Sequence, residues 1–441
     1  MLIIRSSMKI KKYIKRFVPS SIWSTMHLMR YKHSKQVEIE AYQHHYISIE
    51  QRLRQKKRPF TVLFLALDAT CWKLDSVYLE MQKSSLFNPI ILVCPQVNRG
   101  YDFMMEKLQS CAKFFEDKGY EYILTYNELS DTYFDAHSLK PDIIFYTNPY
   151  KGLINDQYYI DNFPDSLLCY VNYGYINVHF EWGFNLPFHQ KIWRYFVECD
   201  ENLKLIKKYS PNNANNCLVT GFPMYDAFIE GTSIGKDWKI QDSKRKRIIW
   251  SPHHSISIQS QMIKLSTFEL YFDSMLKIAR KFKDQIQIVF KPHPLLKEAL
   301  YRLDGWGKER TDKYYEQWEN GENTSTAEGE YVDLFNSSDA MINDSASFTI
   351  EYLYTSKPCL YLNNYDRQVD ANEVALKAFD CWYKATTEEQ IENFIIDVVL
   401  NGNDPLKNKR EKFYNDVLVP PHGLTASENI LNEIKRELHI R

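Results

Sequence analysis

A short polar turn between a predicted strand and a predicted helix is the first candidate for chemistry. Asp344, Ser345 and Ser347 occupy this turn. The free N–H groups and the dipole at a helix start favour an anion such as phosphate. At 3.6 residues per turn, Asp344, Ser347 and Glu351 share one helix face, so we expect that face to line a cleft. The alternative interpretation is an ordinary helix N-cap, because Asp and Ser are common at helix starts.

Histidines follow two other predicted strands of the same half. His253 and His254 end the segment WSPHH, and His293 lies between two prolines in KPHP, after Lys291. Ligands bind beyond the carboxyl ends of strands in open parallel sheets, so we expect these groups to meet the polar turn at one edge. The prolines hold the backbone at His293 rigid, which suits a precisely placed catalytic group; the alternative is a stiff surface turn. His253 and His254 alternate in direction if extended, so we expect at most one to face the cleft.

These groups suit a cleft for a nucleotide diphosphate. Helix-start amides bind pyrophosphate, imidazoles or a lysine neutralise the leaving phosphate, and a base accepts the proton of an attacking hydroxyl. The sequence contains neither GxGxxG nor a Walker lysine loop, which argues against the commonest dinucleotide and NTPase sites. The adjacent histidines lack the usual zinc-ligand spacing, and no DxD pair is present. We therefore expect no cofactor and no tightly bound metal.

Composition and periodicity indicate two α/β domains. The chain has 441 residues with 44% hydrophobic content, and its eight cysteines show no CxxC pair, as expected for reduced thiols. Alternating strands and helices predict mostly parallel sheets. A polar stretch at 229–247 divides the two alternations, and 304–330 is predicted to be a loop. The predicted strands are Thr61–Leu67, Pro89–Val93, Tyr122–Thr125, Ile143–Tyr146, Leu167–Asn172, Leu218–Thr220, Arg247–Ser251, Ile286–Phe290, Ala340–Ile342 and Cys359–Leu362.

The N-terminus is a basic helical extension. Its Lys and Arg residues all precede the first acidic residue, Glu38, and apolar side chains recur among them at helical spacing. This pattern predicts a short helix on an anionic membrane surface, with the contact made through residues 1–35. Nucleic-acid binding and a solvated helix are the alternatives, and we expect no nucleic-acid partner. Since no run approaches the ~18 apolar residues of a membrane span, we expect a cytoplasmic protein, peripheral on the inner face of the cell membrane.

Four motifs occur together in the second half and its approach. They are TGFPMYD at 220–226, PHHS, KPHP, and the Asp-Ser turn followed by Glu351 and a Lys-Pro before the next strand. Together they resemble the CDP-glycerol:poly(glycerophosphate) glycerophosphotransferase family, over about 58–435 and most strongly over 218–362. The resemblance implies a GT-B architecture of two Rossmann-like domains facing a central cleft. The domains expected are the extension at 1–57, an acceptor domain at 58–235, a donor domain at 236–420 and a C-terminal helix at 421–441.

The resemblance also implies roles for individual residues. His293, with His253 or His254 beside it, would contact the donor phosphates as the catalytic group, Ser345 and Ser347 would bind pyrophosphate, and Glu351 would reach the ribose. The full donor-binding set is Lys291, Asp344, Ser345, Ser347, Glu351, Gly221 and Pro223. The family often shows His-Gly after a strand of the first domain, where this chain has Tyr173 and Gly174. The base is then expected elsewhere on this acceptor side, for example at His179.

The implied reaction is a phosphoryl transfer. A hydroxyl of a polyprenyl-linked or glycan acceptor attacks the β-phosphorus of CDP-glycerol, which transfers glycerol phosphate and releases CMP. Two alternatives remain open. One is a GT-B glycosyltransferase that uses a nucleotide-sugar for capsule or lipopolysaccharide synthesis, and the other is a non-catalytic assembly factor with the same fold. The sequence does not determine the oligomeric state.

Overall fold

The computed structural model describes residues 41–57, 59–179, 183–231, 233–241, 244–256, 265–345, 347–362 and 371–440. The segment predicted to contact a membrane, 1–35, lies outside these residues. No helix within the described ranges is long and apolar enough to cross a membrane. All eight cysteines are free thiols.

The first half of the chain forms a seven-stranded sheet in the order β3-β2-β1-β6-β7-β8-β9, with every described pairing parallel. Its apolar strands are buried between layers of helices, as parallel sheets require. The strands are β1 Phe60–Ala66, β2 Phe87–Val93, β3 Tyr122–Leu124, β6 Ile143–Tyr146, β7 Leu167–Val171, β8 Arg194–Val197 and β9 Cys217–Val219, with β4 Tyr126–Asn127 and β5 Thr132–Tyr133 forming a separate antiparallel hairpin.

The second half forms a six-stranded parallel sheet in the order β12-β11-β10-β13-β14-β15. Hydrophobic cores cover both of its faces. The strands are β10 Lys246–Ser251, β11 Ile286–Phe290, β12 Thr324–Thr326, β13 Ala340–Asn343, β14 Cys359–Leu362 and β15 Tyr383–Ala385.

Helices cover the two sheets. The longer ones carry one buried apolar face, as in α7, where buried residues recur at helical spacing. The helices are α1 at 41–54, α2 Asp75–Lys83, α3 Tyr101–Asp117, α4 Pro187–Lys191, α5 Asp200–Tyr209, α6 Met224–Glu230, α7 Phe268–Lys281, α8 Leu296–Tyr301, α9 Gly307–Asn320, α10 Val332–Ser337, α11 Ser347–Glu351, α12 Glu373–Phe379, α13 Glu388–Asn393, α14 Lys407–Phe413 and α15 Ala426–Glu437.

The closing helix α15 packs on the first sheet, although it follows the second sheet in sequence. Ile430, Leu431 and Ile434 join the core that contains α2 and β1. Its N-terminus is held by Asp226, whose carboxylate accepts the N–H groups of Ala426 and Ser427 at 2.8 and 2.9 Å. The chain therefore returns to its first half, which ties the two halves together.

Every predicted strand is present, with ends that differ by at most two residues. The prediction of a loop at 304–330 is wrong, because α9 and β12 lie there. The buried positions of α9 are Thr311, Tyr314, Tyr315 and Trp318, a helical spacing carried by aromatic and polar residues instead of aliphatic ones. The short strands β8 and β15 were also missed.

Candidate functional site

The carboxyl ends of β10, β11 and β13 lie side by side in the second sheet. β10 is the middle strand, and Trp250 is paired with Phe290 on one side and with Ile342 on the other. The segments that follow the three strands therefore leave the sheet at the same level. This geometry brings together the three polar segments identified in the sequence.

His253, His254 and His293 form a compact histidine trio at this edge. The ring centroids are 4.2 Å apart for His253 and His254, 5.1 Å for His253 and His293, and 4.1 Å for His254 and His293. The expectation that at most one of the adjacent histidines faces the cleft is wrong. The chain bends at His254, where the Ile256 N–H donates to the His254 carbonyl, so the alternation of an extended strand ends there.

Hydrogen bonds orient two of the three rings. The Leu295 N–H donates to Nδ1 of His293 at 3.1 Å, so the neutral His293 ring carries its proton on Nε2. Nδ1 of His253 and Oγ of Ser255 lie at hydrogen-bond distance, 2.8 Å. Nδ1 of His254 is buried and has no hydrogen-bond partner among the described residues. His293 is therefore set to donate from Nε2 to an anion.

Burial controls the charge of two rings of the trio, His254 and His293. The pKa of His293 is lowered to about 3 by burial and by the neighbouring His254, and burial lowers the pKa of His254 as well. Both imidazoles are therefore neutral at pH 7. A bound phosphate favours the protonated form, because a negative charge beside an imidazole raises its pKa. These two rings can thus take up protons as an anion arrives.

Asp344 fixes the segment that carries His253. Its side chain is 0% exposed and accepts the His253 N–H at 2.6 Å, the Thr267 hydroxyl at 2.8 Å and the Thr267 N–H. The carboxylate thus joins the ends of β10 and β13 to the start of α7. The structure does not place Asp344 on the exposed helix face expected from spacing, since α11 begins only at Ser347.

Ser345 and Ser347 lie at the start of α11, as the sequence predicted. Ser345 is buried, and its N–H donates to Oδ1 of Asn343 at 2.9 Å. The Ser345 carbonyl accepts the Thr349 hydroxyl at 2.5 Å, which closes the first turn. The polar turn is therefore built tightly onto the end of β13, beside the segment that carries His253.

Glu351 lies at the seam between the two halves. Its carboxylate accepts the hydroxyl of Tyr331, and that hydroxyl accepts Nζ of Lys73 at 3.0 Å. Lys73 belongs to the first half, between β1 and α2, and is only 9% exposed. Because an ammonium group can only donate, the relay runs from Lys73 through Tyr331 to Glu351. A residue of the first sheet is thereby tied to the predicted ribose-binding carboxylate.

Lys291 approaches the same tyrosine from the second half. Its Nζ donates to the Gly329 carbonyl at 3.0 Å and lies 5.8 Å from the ring centroid of Tyr331, while Nζ of Lys73 lies 5.1 Å from that centroid. Burial lowers the pKa of Lys291 to about 8, against the raising effect of nearby acidic groups such as Asp237. Lys291 therefore remains mostly charged at pH 7, and two cations flank one ring.

The predicted acceptor-side residues follow β7 in the first half. Tyr173 is 37% exposed, and burial of its hydroxyl raises its pKa. Open space surrounds Gly174. His179 lies further along, with Nε2 at 2.7 Å from the Tyr209 hydroxyl. Tyr173 and Gly174 thus lie just beyond the carboxyl end of β7, whereas His179 contacts the last residue of α5.

Gly221 and Pro223 lie where the first half meets the end of the chain. Gly221 has a φ of +86°, and a Cβ there would meet Pro420 at 2.7 Å, so only glycine fits. The Pro223 carbonyl accepts the Ser76 hydroxyl at 3.3 Å. In the described structure this motif joins the two halves, with Asp226 at the N-terminus of α15.

Lys73, Tyr331 and Glu198 are among the polar residues of the seam that sequence reasoning missed. Lys73 and Tyr331 meet across a separation of 258 residues, which no local pattern indicates. Glu198 follows the short strand β8, and a correct assignment of β8 would have placed it at the carboxyl edge of the first sheet.

Part of the chain is similar to a known protein family. Residues 189–387 match the model of the family described as CDP-Glycerol:Poly(glycerophosphate) glycerophosphotransferase. Over these residues the chain is similar to this family. The matched segment includes the histidine trio, the Asp-Ser turn and Glu351. The family is the one that the motifs indicated, and no curated protein matches the sequence.

Solved structures establish the fold. The wall teichoic acid polymerase TagF is 13% identical, with a TM-score of 0.54 over 93% of this chain and 97% of that one. A TagF variant soaked with CDPG is 14% identical, with a TM-score of 0.54 over 87% and 89%. The UDP-GlcNAc 2-epimerase from Neisseria meningitidis bound to UDP-GlcNAc is 13% identical, with a TM-score of 0.52 over 85% and 99%. These likenesses confirm the predicted GT-B-like α/β fold.

Proposed function

We propose that this chain transfers glycerol phosphate from CDP-glycerol to a hydroxyl of a cell-surface polymer or of its lipid-linked precursor, and releases CMP. The observation that carries the proposal is the histidine trio, which lies at the carboxyl ends of β10 and β11 within the segment matched by the family model. Additional support comes from the TagF variant of the same fold that was soaked with CDPG.

In this proposal the second half binds the donor. His293, flanked by His253 and His254, neutralises the phosphates. Glu351 accepts a ribose hydroxyl after its hydrogen bond from the Tyr331 hydroxyl is broken. Phosphoryl transfer depends chiefly on in-line positioning and on charge stabilisation, which fixed imidazoles provide. The proposed donor-binding residues are Lys291, Asp344, Ser345, Ser347, Glu351, Gly221 and Pro223, with Asp344 acting through His253.

The acceptor enters from the first half. Its hydroxyl oxygen attacks the β-phosphorus, and the bond between that phosphorus and the bridging oxygen breaks to release CMP. Tyr173, Gly174 and His179 line the approach in this proposal. The acceptor is a polyprenyl-linked or glycan chain that carries free hydroxyl groups.

Purified protein incubated with CDP-glycerol and a glycan or polyprenyl-linked acceptor tests the proposal. We expect acceptor-dependent release of CMP, measured by chromatography, and none from common nucleotide-sugars. Nucleotide release from a nucleotide-sugar alone would instead identify a glycosyltransferase. Binding of CDP-glycerol without turnover on any acceptor would identify an assembly factor.

Chelation is expected to leave CMP release unchanged, because we propose that no tightly bound metal takes part. The ligand atoms of the trio lie within 4.8 Å of one another, so the three histidines could also bind a transition metal ion instead of acting on the donor phosphates. However, the carboxylate of Asp344 already accepts hydrogen bonds from His253 and Thr267, and the candidate ligand group found within the described residues consists of the three histidines alone. Activity after dialysis against 1,10-phenanthroline, with metal analysis of the same sample, checks this. Loss of turnover that zinc restores would contradict it.

Removal of residues 1–35 is expected to abolish sedimentation with anionic liposomes. The extension concentrates Lys and Arg before Glu38, so its attraction to anionic headgroups is electrostatic. Liposomes of neutral lipid provide the control, and CMP release in solution checks that the shortened chain still folds. Equal sedimentation of the full and the shortened chain would refute a peripheral location at the inner membrane face.

A further inference from the structure

Glu198 lies at the carboxyl edge of the first sheet, immediately after β8. β8 pairs in parallel with β7, and Val171 is opposite Phe196. Tyr173 and Glu198, each two residues further along, are therefore at the same level of the sheet edge. The carboxylate thus stands beside the segment proposed to receive the acceptor.

The carboxylate of Glu198 is buried and incompletely bonded. Glu198 is only 4% exposed, and its Oε2 accepts Nδ2 of Asn202 at 3.1 Å. Its Oε1 is buried without a hydrogen-bond partner among the described residues. Buried polar atoms are almost always bonded, so an unpartnered carboxylate oxygen calls for a functional explanation. A group that accepts a proton from a substrate needs such an oxygen.

Residues of the second half of the chain lie close to Glu198. Asn202 also accepts Nδ2 of Asn372 at 3.1 Å, and the Asn372 N–H donates to the Asn177 carbonyl at 3.1 Å. Tyr354, which follows α11, interacts electrostatically with both Glu198 and Glu351. Glu198 therefore lies at the seam, between the acceptor side and the carboxylate proposed to bind the donor ribose.

Glu198 titrates near neutrality beside the segment proposed to receive the acceptor. Burial raises its pKa to about 7, although hydrogen bonds from Asn202, Asn172 and nearby backbone amides lower it in part. Five neighbouring groups interact electrostatically with Glu198. Burial raises the pKa of each of them, so they stay protonated at pH 7. They are Tyr170, Tyr175, Tyr195, Tyr354 and Cys199. The raised pKa of Tyr173 likewise keeps that residue protonated.

We propose that Glu198 is the general base that accepts the proton of the attacking hydroxyl, an inference that rests on the transfer reaction proposed above. The acceptor O–H bond breaks and its proton goes to Oε1 of Glu198. The oxygen electron pair forms the new bond to the β-phosphorus, and the pair of the broken bond leaves with the phosphate of CMP. Glu198 then releases its proton to solvent, which balances the cycle.

Glu198→Gln tests the role without removing the Asn202 hydrogen bond. We expect the single-turnover rate to fall about 10²- to 10⁴-fold, the usual range for loss of a general base, with CDP-glycerol affinity unchanged by calorimetry. In the wild type, kcat/KM should rise with pH through about 7 as Glu198 loses its proton. This limb should disappear in Glu198→Gln and persist in Glu198→Asp.

Thermal melts give a readout that needs no substrate. Because the folded pKa of Glu198 is raised from 4.5 to about 7, the folded chain holds a proton that the unfolded chain loses, and wild-type stability falls as pH rises through that window. Glu198→Gln should lack this loss and melt higher than the wild type above pH 7. Equal melting temperatures at all pH values would overturn the raised pKa that the role requires.

Glu201→Gln is the matched control. Glu201 lies on the same helix α5 and pairs with Lys377 of the second half at 2.9 Å, so it shares the seam but has a partner. It should retain the wild-type rate and the pH limb. If the wild type turns over CDP-glycerol and Glu198→Gln does so at the reduced rate given above, the inference is supported. If Glu198→Gln turns over CDP-glycerol as fast as the wild type, the inference is overturned. A wild type that is itself silent with CDP-glycerol contradicts the proposed function instead.

Discussion

His293→Ala is expected to lower CMP release from CDP-glycerol by about 10²- to 10³-fold, the usual cost of losing one preorganised donor where charge develops. His293 Nδ1 accepts the Leu295 N–H, so Nε2 carries the proton that a departing phosphate requires. Few structural contacts are lost, because this is the one hydrogen bond described for the half-buried side chain. Initial rates and thermal melts of the same preparations measure the two effects.

The pH dependence of stability provides an independent check on His293. Its folded pKa is about 3 against 6.5 unfolded, so the unfolded chain binds a proton that the folded chain refuses. This contribution is fully present above pH 6.5 and is lost as pH falls toward 3. His293→Ala should therefore lose less stability in acid than the wild type. His137→Ala, an exposed histidine stacked on Phe163, is the control for both measurements. Near-normal CMP release from His293→Ala would remove this residue from the site.

Asp344→Ala is expected to destabilise the second half by about 4 kcal/mol, because it leaves buried donors without an acceptor. Three donors lose their partner, namely the His253 N–H, the Thr267 N–H and the Thr267 hydroxyl. His253 is then no longer tied to β13, so CMP release should fall as well. Urea unfolding followed by tryptophan fluorescence reports the loss, since Trp250 is buried on β10 beside this edge.

Asp339→Ala is the control for Asp344→Ala. It shows whether the loss of stability comes from the buried hydrogen bonds of Asp344 or from the removal of any carboxylate next to β13. Asp339 precedes that strand and accepts the Arg247 N–H at 2.8 Å and Nζ of Lys246 at 3.0 Å, but its side chain is 35% exposed. Water can replace the lost acceptor there, so we expect a cost of about 1 kcal/mol. Equal destabilisation by both substitutions would contradict the special role of Asp344.

The strands and the edge that carries the site could be predicted from sequence. Apolar runs such as Ile286–Phe290 are buried on both faces, so their identity and length appear directly in the chain. The order of β11, β10 and β13 brought their polar endings together without any long-range information about side chains. The helix α9 was missed because its buried face is made of tyrosine, tryptophan and threonine.

Side-chain roles at the seam could not be predicted. Lys73 reaches Tyr331, and Asn202 reaches Asn372, across long stretches of chain, and each contact depends on how the two halves dock. Burial raises the pKa of Glu198, and the second half contributes to its surroundings through Tyr354 and through Asn372, which donates to Asn202. Such effects depend on distance in space, which local periodicity does not encode.

The sequence by itself therefore determined a parallel α/β protein whose second half carries three polar segments at one strand edge, since strand pattern and strand endings are local properties. Only the tertiary structure decided that both adjacent histidines join His293, that buried Asp344 links His253 to Thr267, and that one oxygen of Glu198 has no hydrogen-bond partner among the described residues. The physical reason is that hydrogen-bond partners and desolvation arise when distant segments pack, and packing selects one partner among many that the sequence would allow.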